Sequence, residues 1–262
     1  MGAEELREQL AQAELVLVGL GEEFDAACQL KSVEEFTRGR QFLQDQSVSW
    51  LVPAWGEYCV ERLGLDMVRP VLEKLVSLLN GKNYYAVSVS TNSAVASVMG
   101  SDRLVMPCGS VLTKQCGNDC EGEIFPVGKE DLTSQNTFFQ KLWNGCFEWG
   151  EVPLLGSCSR CGHPMVLNNV YTSGYDEHGY LEAWQRYTKW LQGTLNRRLL
   201  LLELGVSMGF PTVVRRPFEK ITTYNRKAFL YRVNENLYQI PTELLSKGVG
   251  ISKNAIDWLS QL

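Results

Sequence analysis

Eight cysteines punctuate this 262-residue chain, and four of them stand in two close pairs. Three residues separate Cys116 from Cys120, two separate Cys158 from Cys161, and thirty-seven lie between the pairs. Each pair suits one knuckle of a metal site, and four thiolates satisfy tetrahedral Zn²⁺ with no position left for water. The spacing therefore predicts a structural zinc site that pins a small module within a larger domain. The alternative is a set of disulfides or buried thiols, and disulfides need an oxidising compartment. The opening segment Met1-Gly2-Ala3-Glu4-Glu5-Leu6-Arg7 has no apolar core and no cleavage site. The pairs accordingly read as metal ligands in a cytoplasmic protein. His163 could replace one thiolate, but it reads better as a supporting or surface group.

A second group of residues gathers where predicted strands end. Leu15-Val16-Leu17-Val18 runs into Gly19-Leu20-Gly21, and a β-branched and aromatic stretch over 84–90 runs into Thr91-Asn92. The apolar stretch over 198–204 ends at Gly205-Val206-Ser207, and the one over 228–233 ends at Asn234. Ligands of open parallel sheets sit beyond the carboxyl ends of the strands. Gly19-Leu20-Gly21 permits close backbone approach, and a following helix N-terminus favours phosphate. Alone, this Gly-x-Gly is weak: it lacks the third glycine of the dinucleotide fingerprint and the acid about 20 positions on, and an ordinary tight turn explains it equally well. Several such strand ends together predict a nucleotide site.

The elements that must position these residues follow from the periodicity. A third strand is predicted at Leu104-Val105-Met106. Helical spacing over 66–79 places Val68, Val71, Leu72, Leu75, Leu78 and Leu79 on one side. A helix over 179–195 turns Leu181, Trp184, Tyr187 and Leu191 inward. Strands alternating with helices imply an α/β fold: a Rossmann-like parallel sheet with helices on both faces. The cysteine pairs interrupt that alternation. The expected division is residues 1–113 with 165–262 as the nucleotide-binding domain, with a helical insertion at about 22–65, and 114–164 as the zinc module.

Hydrophobic residues form 45% of the chain, enough for a substantial core. The net charge of −5, with no basic run, argues against nucleic acid as a partner. The longest apolar runs, such as 199–202, are far too short to span a membrane. Trp50, Trp55 and Tyr58, with Trp143, Phe147 and Trp149, form aromatic clusters that read as packing of the helical module and zinc lobe, or as a groove for an acylated side chain. Arg215, Arg216 and Lys220 read as a solvated helix face, with phosphate or an acidic partner as the other option.

A nucleotide-binding sheet interrupted by a four-cysteine module resembles the sirtuin fold, through roughly residues 14–240. Gly19-Leu20-Gly21 stands at the Gly-Ala-Gly turn of the NAD site, Ser90-Thr91-Asn92 at the Thr-Gln-Asn motif, and Cys108-Gly109-Ser110 at the His-Gly catalytic motif. Leu204-Gly205-Val206-Ser207 resembles the Gly-Thr-Ser motif and Val233-Asn234 the Ile-Asn at the adenosine end. The run Leu201 to Val206, then Arg216-Pro217-Phe218-Glu219 and Arg232-Val233-Asn234, is most similar to the bacterial class M (macrodomain-linked) branch.

The resemblance implies NAD and Zn²⁺ as cofactors and a protein substrate, in the class M branch a lipoyl-carrier protein. Gly19, Leu20, Gly21, Thr91, Asn92, Gly205, Val206, Ser207 and Asn234 would hold NAD. Asn92 would position the nicotinamide ribose and a water, and Cys108 would stand where deacylating members use histidine. Cys108 then reads either as an inert pocket-lining thiol or as a base or ADP-ribose acceptor, because a thiol needs a nearby cation or helix end to ionise. The implied function is an NAD-dependent protein-modifying enzyme, favoured as an ADP-ribosyltransferase. A deacylase is the alternative, as is a catalytically impaired NAD- or ADP-ribose-binding protein. That last reading is suggested by Glu22 and Glu23 beside the first turn, by Cys108 at the catalytic motif and by Ala94, which stands where the family has an Asp.

Overall fold

The computed structural model describes residues 3–118, 120 and 123–262; Met1 and Gly2 of the opening segment lie outside the described residues. Its centre is a six-stranded parallel sheet built from β1 (Leu15–Leu20), β2 (Asn83–Ser88), β3 (Leu104–Val105), β7 (Leu199–Leu204), β8 (Ala228–Val233) and β9 (Gly248–Ile251). The strand order is β3-β2-β1-β7-β8-β9. The chain therefore builds outward from β1 on one side through β2 and β3. It then returns to build outward on the other side from β7, so the topological switch falls between β1 and β7.

The apolar runs form strands because both faces of the sheet are covered, which lets parallel strands dispense with polar alternation. Every residue of β1 and β7 is buried. Period two still sorts their side chains. Val16, Val18, Leu20, Leu200, Leu202 and Leu204 face one core, with α1 (Ala3–Gln12), α5 (Val68–Leu78), α6 (Ser93–Met99) and α10 (Ala255–Ser260) against it. Leu15, Leu17, Leu199 and Leu201 face the other, under α8 (His178–Gln192) and α9 (Arg215–Tyr224). On that second face, the same parity carries Glu203 and Arg232 inward. Arg232 donates to Glu203 from Nε at 2.8 Å and Nη2 at 2.9 Å, and also to Glu219 of α9.

Two readings of helix faces are corrected here. Arg215 belongs to no solvated face: it is buried and ion-paired with Glu203 at 3.2 Å. A buried carboxylate on the sheet draws the guanidinium inward, which its own helix's charge pattern does not reveal. Leu181 is 37% exposed, because α8 turns only Tyr187 fully into the core.

The remaining helices, α2 (Ala26–Gln29), α3 (Glu34–Asp45), α4 (Val52–Leu63) and α7 (Lys129–Trp143), pack with a small antiparallel sheet of order β5-β4-β6. Its strands are β4 (Gly109–Cys116), β5 (Phe125–Pro126) and β6 (Met165–Asn169). Trp55 is the hub. It stacks near-parallel on Tyr58 at 5.6 Å, meets Phe139 and Trp143, and donates to the Phe36 carbonyl at 3.1 Å. The aromatic clusters thus pack the helical module against the zinc lobe. Lys114 of β4 fastens α7 by donating to both oxygens of Asp131 (2.8 and 2.7 Å) and to the Leu155 carbonyl. No helix among the described residues is long and apolar enough to cross a membrane.

Candidate functional site

The four paired cysteines converge. Their sulfurs all lie within 4.8 Å of one another, and Cys116 Sγ is 3.5 Å from Cys161 Sγ. Zn–S bonds of about 2.3 Å in a tetrahedron place sulfurs roughly 3.8 Å apart, so the donor set fits Zn²⁺. None of the cysteines is in a disulfide. Backbone N–H groups of Cys161 and Arg160 lower the Cys158 thiol to about 7. Hydrogen bonds with Cys161 and Cys116 push the Cys120 thiol up to about 12. Four crowded thiols oppose one another's ionisation, and a dication removes that opposition. His163 is exposed and contributes its carbonyl to the knuckle, accepting from Cys158 N at 2.8 Å.

The strand ends also converge, at the β1/β7 switch where open α/β sheets bind ligands. The glycines of Gly19-Leu20-Gly21 have protein neighbours. A Cβ on Gly19 would collide with Val214 and Phe218 of the overlying α9 region, and one on Gly21 with the Gly205 carbonyl and Val206. Gly21 N donates to the Leu204 carbonyl at 2.8 Å, closing the β1 turn onto the β7 turn. Gly205, at φ +64°, reverses the chain in the left-handed region that glycine tolerates. Leu20 and Val206 turn their side chains into the cores, so only their backbones line the site.

Asn92 is held at both ends. Its Oδ1 caps α6 by accepting from Ala94 N at 2.8 Å, and its Nδ2 donates to the Phe24 carbonyl at 2.9 Å. Asn234 is similarly engaged: Oδ1 accepts from Asn236 N and Leu237 N (2.9 and 2.7 Å), and Nδ2 donates to the Val206 carbonyl at 3.2 Å. These amides are preorganised by local turns, as asparagine at such positions does.

Two acids that the sequence did not flag hold the loop carrying Asn92. The carboxyl of Asp25 accepts from Ser90 Oγ at 2.7 Å and Thr91 N at 3.1 Å. Glu57, reaching from α4, accepts from Ser93 N at 2.8 Å and from the Ser93 hydroxyl. Burial pushes each carboxyl up to about 7, with Glu22 and Glu57 adding to the effect on Asp25. Asp25 follows the first turn as a lone acid, with no motif around it to single it out. Glu57 had no signal, since its approach to Ser93 depends on how α4 docks.

Cys108 is 1% exposed. Burial pushes its thiol well up, and the negative charges of Asp25 and Glu22 push it further. The Tyr171 hydroxyl, pushed up mainly by burial, responds to the same three groups. The charges of Glu22 and Asp25 thus reach both Cys108 and Tyr171, and the thiol stays protonated at neutral pH. Glu22 and Glu23 cross to the facing loops. Glu22 accepts from Ser207 N at 2.8 Å and Ser207 Oγ at 2.6 Å, while Glu23 accepts from Ala255 N at 2.6 Å and Glu235 N at 3.2 Å.

No protein-family model matches the chain. A "Protein ADP-ribosyltransferase" of Staphylococcus aureus (strain Mu50) is 24% identical over 271 residues, covering 96% of this chain and 84% of that protein. Among solved structures, one from work on sirtuin substrate affinity superposes with a TM-score of 0.55 at 14% identity, covering 99% of this chain and 96% of the other. A Sir2 variant solved with a peptide and NAD superposes with a TM-score of 0.53 at 13% identity and the same coverage. The fold is that of the sirtuins.

Proposed function

We infer that this sirtuin-fold chain is an NAD-dependent protein-modifying enzyme, and that the modification is ADP-ribosyl transfer. The observation that carries the reading is that the Gly21 and Gly205 turns close on each other at the β1/β7 switch, with Ser207 after them and Asn92 tied to Phe24 just past Gly21. The full-length similarity to a protein ADP-ribosyltransferase supports it.

The place suits a dinucleotide: two glycine-bearing turns close on each other at the carboxyl ends of the strands, with Ser207 and two oriented asparagines beside them, and the Ser207 donors are held by Glu22. Gly19, Leu20, Gly21, Thr91, Gly205, Val206, Ser207 and Asn234 would hold NAD, and Asn92 would orient its nicotinamide ribose. Bound NAD supplies an electrophilic ribose carbon with nicotinamide as leaving group. This chain's own residues would orient that ribose through Asn92 and keep the Cys108 proton in place. The four-cysteine zinc site is structural in this reading, because no ligand position stays open.

Transfer is favoured over deacylation on chemical grounds. Deacylating members of the family the chain resembles use a histidine to take the proton of a ribose hydroxyl. Only two histidines exist; His163 belongs to the zinc knuckle, and His178 pairs with Asp176 at the start of α8. The Cys108 thiol is held protonated. The substrate is a protein, and the finer reading is a lipoyl-carrier protein. Incubation with NAD and a lipoylated carrier should release nicotinamide and add one ADP-ribose mass to the carrier. Turnover of a panel of acyl-lysine peptides without any adduct would instead establish the deacylase. Binding of NAD without nicotinamide release would establish the impaired, ligand-sensing alternative that Ala94 favours.

A further inference from the structure

We infer that Glu22 is an internal occupant of the nucleotide's anion seat and sets the chain's affinity for diphosphate ligands. The inference rests on the NAD reading above and adds a residue to it. Four observations carry it.

First, the position is the β1/β7 switch, the crevice where this class of sheet takes a ligand. Second, the donors there are those that would greet a phosphate: the backbone N–H and hydroxyl of Ser207, after a left-handed Gly205. Both already go to the two oxygens of Glu22, at 2.8 and 2.6 Å. Third, the seat is shaped to the carboxylate. A Cβ on Gly209 would lie 2.8 Å from Glu22 Oε1, and Gly209 N donates to Ser207 Oγ at 3.0 Å, aligning that hydroxyl toward the acid. Fourth, the nearby guanidinium is committed elsewhere. Arg215 faces Glu203 and donates to the Val206 and Leu237 carbonyls, so its guanidinium does not pair with Glu22.

A pyrophosphate and a carboxylate compete for the same two donors, and like charges in one half-buried seat repel. A dinucleotide can bind only if the Glu22 side chain rotates away. Its binding then gives up two charge-assisted hydrogen bonds before gaining its own. The carboxylate thus lowers apparent affinity by the fraction of molecules in which the seat is open.

Calorimetric titration of ADP-ribose into the full chain, E22A, E22Q and the surface control E34A tests this. Removing the acid is expected to tighten binding about ten- to hundredfold in E22A, the equivalent of about one hydrogen bond to a charged group. E22Q should gain less, because its amide oxygen still accepts from Ser207 N, and E34A should match the unaltered chain. Melting curves report whether E22A folds; if it does not, E22Q alone decides. Binding by the variants equal to or weaker than the unaltered chain overturns the inference while leaving the NAD reading intact. No binding by any of the four proteins overturns both. Binding by E22A where the unaltered chain shows none supports the inference in its strongest form.

Discussion

Asp25 grips the loop that carries Asn92: its carboxyl takes one hydrogen bond from the Ser90 hydroxyl and another from the Thr91 amide. Asn92 returns the link by donating to the Phe24 carbonyl one residue earlier. The turn after β1 and the turn after β2 are therefore a single latched unit at the mouth of the sheet.

That latch has a pH dependence. Burial raises Asp25 from 3.8 to about 7, so the folded chain binds more protons than the unfolded chain between those values. Stability therefore falls as pH rises through that window and levels off above it. Glu57, raised from 4.5 to about 7, acts in the same sense. Asp25→Asn should gain stability relative to the unaltered chain on going from pH 6 to pH 8, because it has no carboxyl to ionise in that buried position. Thermal melts of both proteins at the two pH values check this. An unchanged difference would contradict the raised carboxyl.

The zinc site should be stoichiometric and structural. Elemental analysis should find one zinc per chain, and Cys158→Ala should abolish it. Loss of the metal frees the knuckle that Cys158 N and the His163 carbonyl close. A strong chelator should lower the melting temperature by something on the order of 10 °C, since structural zinc contributes several kcal/mol of folding free energy. A chain that keeps its melting temperature without zinc would refute the assignment.

The buried Glu203–Arg232 pair gives a sharper stability test. Arg232→Ala leaves Glu203 with Arg215 as partner but without its two-pronged contact. The expected loss is about 3–5 kcal/mol, typical of breaking a buried pair. Glu203→Leu combined with Arg232→Met and Arg215→Met should recover much of it, because all three buried charges that meet at Glu203 are then removed. Denaturant titration reads each value, and a loss below 1 kcal/mol for Arg232→Ala would show the charge is not buried as described.

Cys108 should be inert. Iodoacetamide at neutral pH should label the exposed Cys146 and leave Cys108 unmodified in the native chain. Intact-mass analysis after NAD incubation should find no adduct on Cys108. Either modification would overturn the protonated, pocket-lining role.

Much of the scaffold was legible without coordinates. β1, β7 and β8 follow their apolar runs, and α5 buries Val68, Val71, Leu72 and Leu75 as its spacing requires. β9 and the small sheet were not legible. Gly248–Ile251 carries little apolar signal, and β4 is irregular between Gly109 and Lys114, where its register against β6 shifts.

What the sequence by itself determined was therefore the local and the repeated: the zinc ligands, whose chemistry follows from thiolates at knuckle spacing, and the strands, whose burial follows from continuous apolar runs. Only the tertiary structure decided which groups meet across loops distant in sequence. Glu22 reaches Ser207 across 185 positions, and Glu57 reaches Ser93 across 36. Side-chain charge can be read from a sequence, but its partner is set by how helices dock and strands order. That is why the two acids after Gly21 read as an obstacle to phosphate, while the fold sets Glu22 on the Ser207 amide and hydroxyl and makes Glu23 a tie to α10.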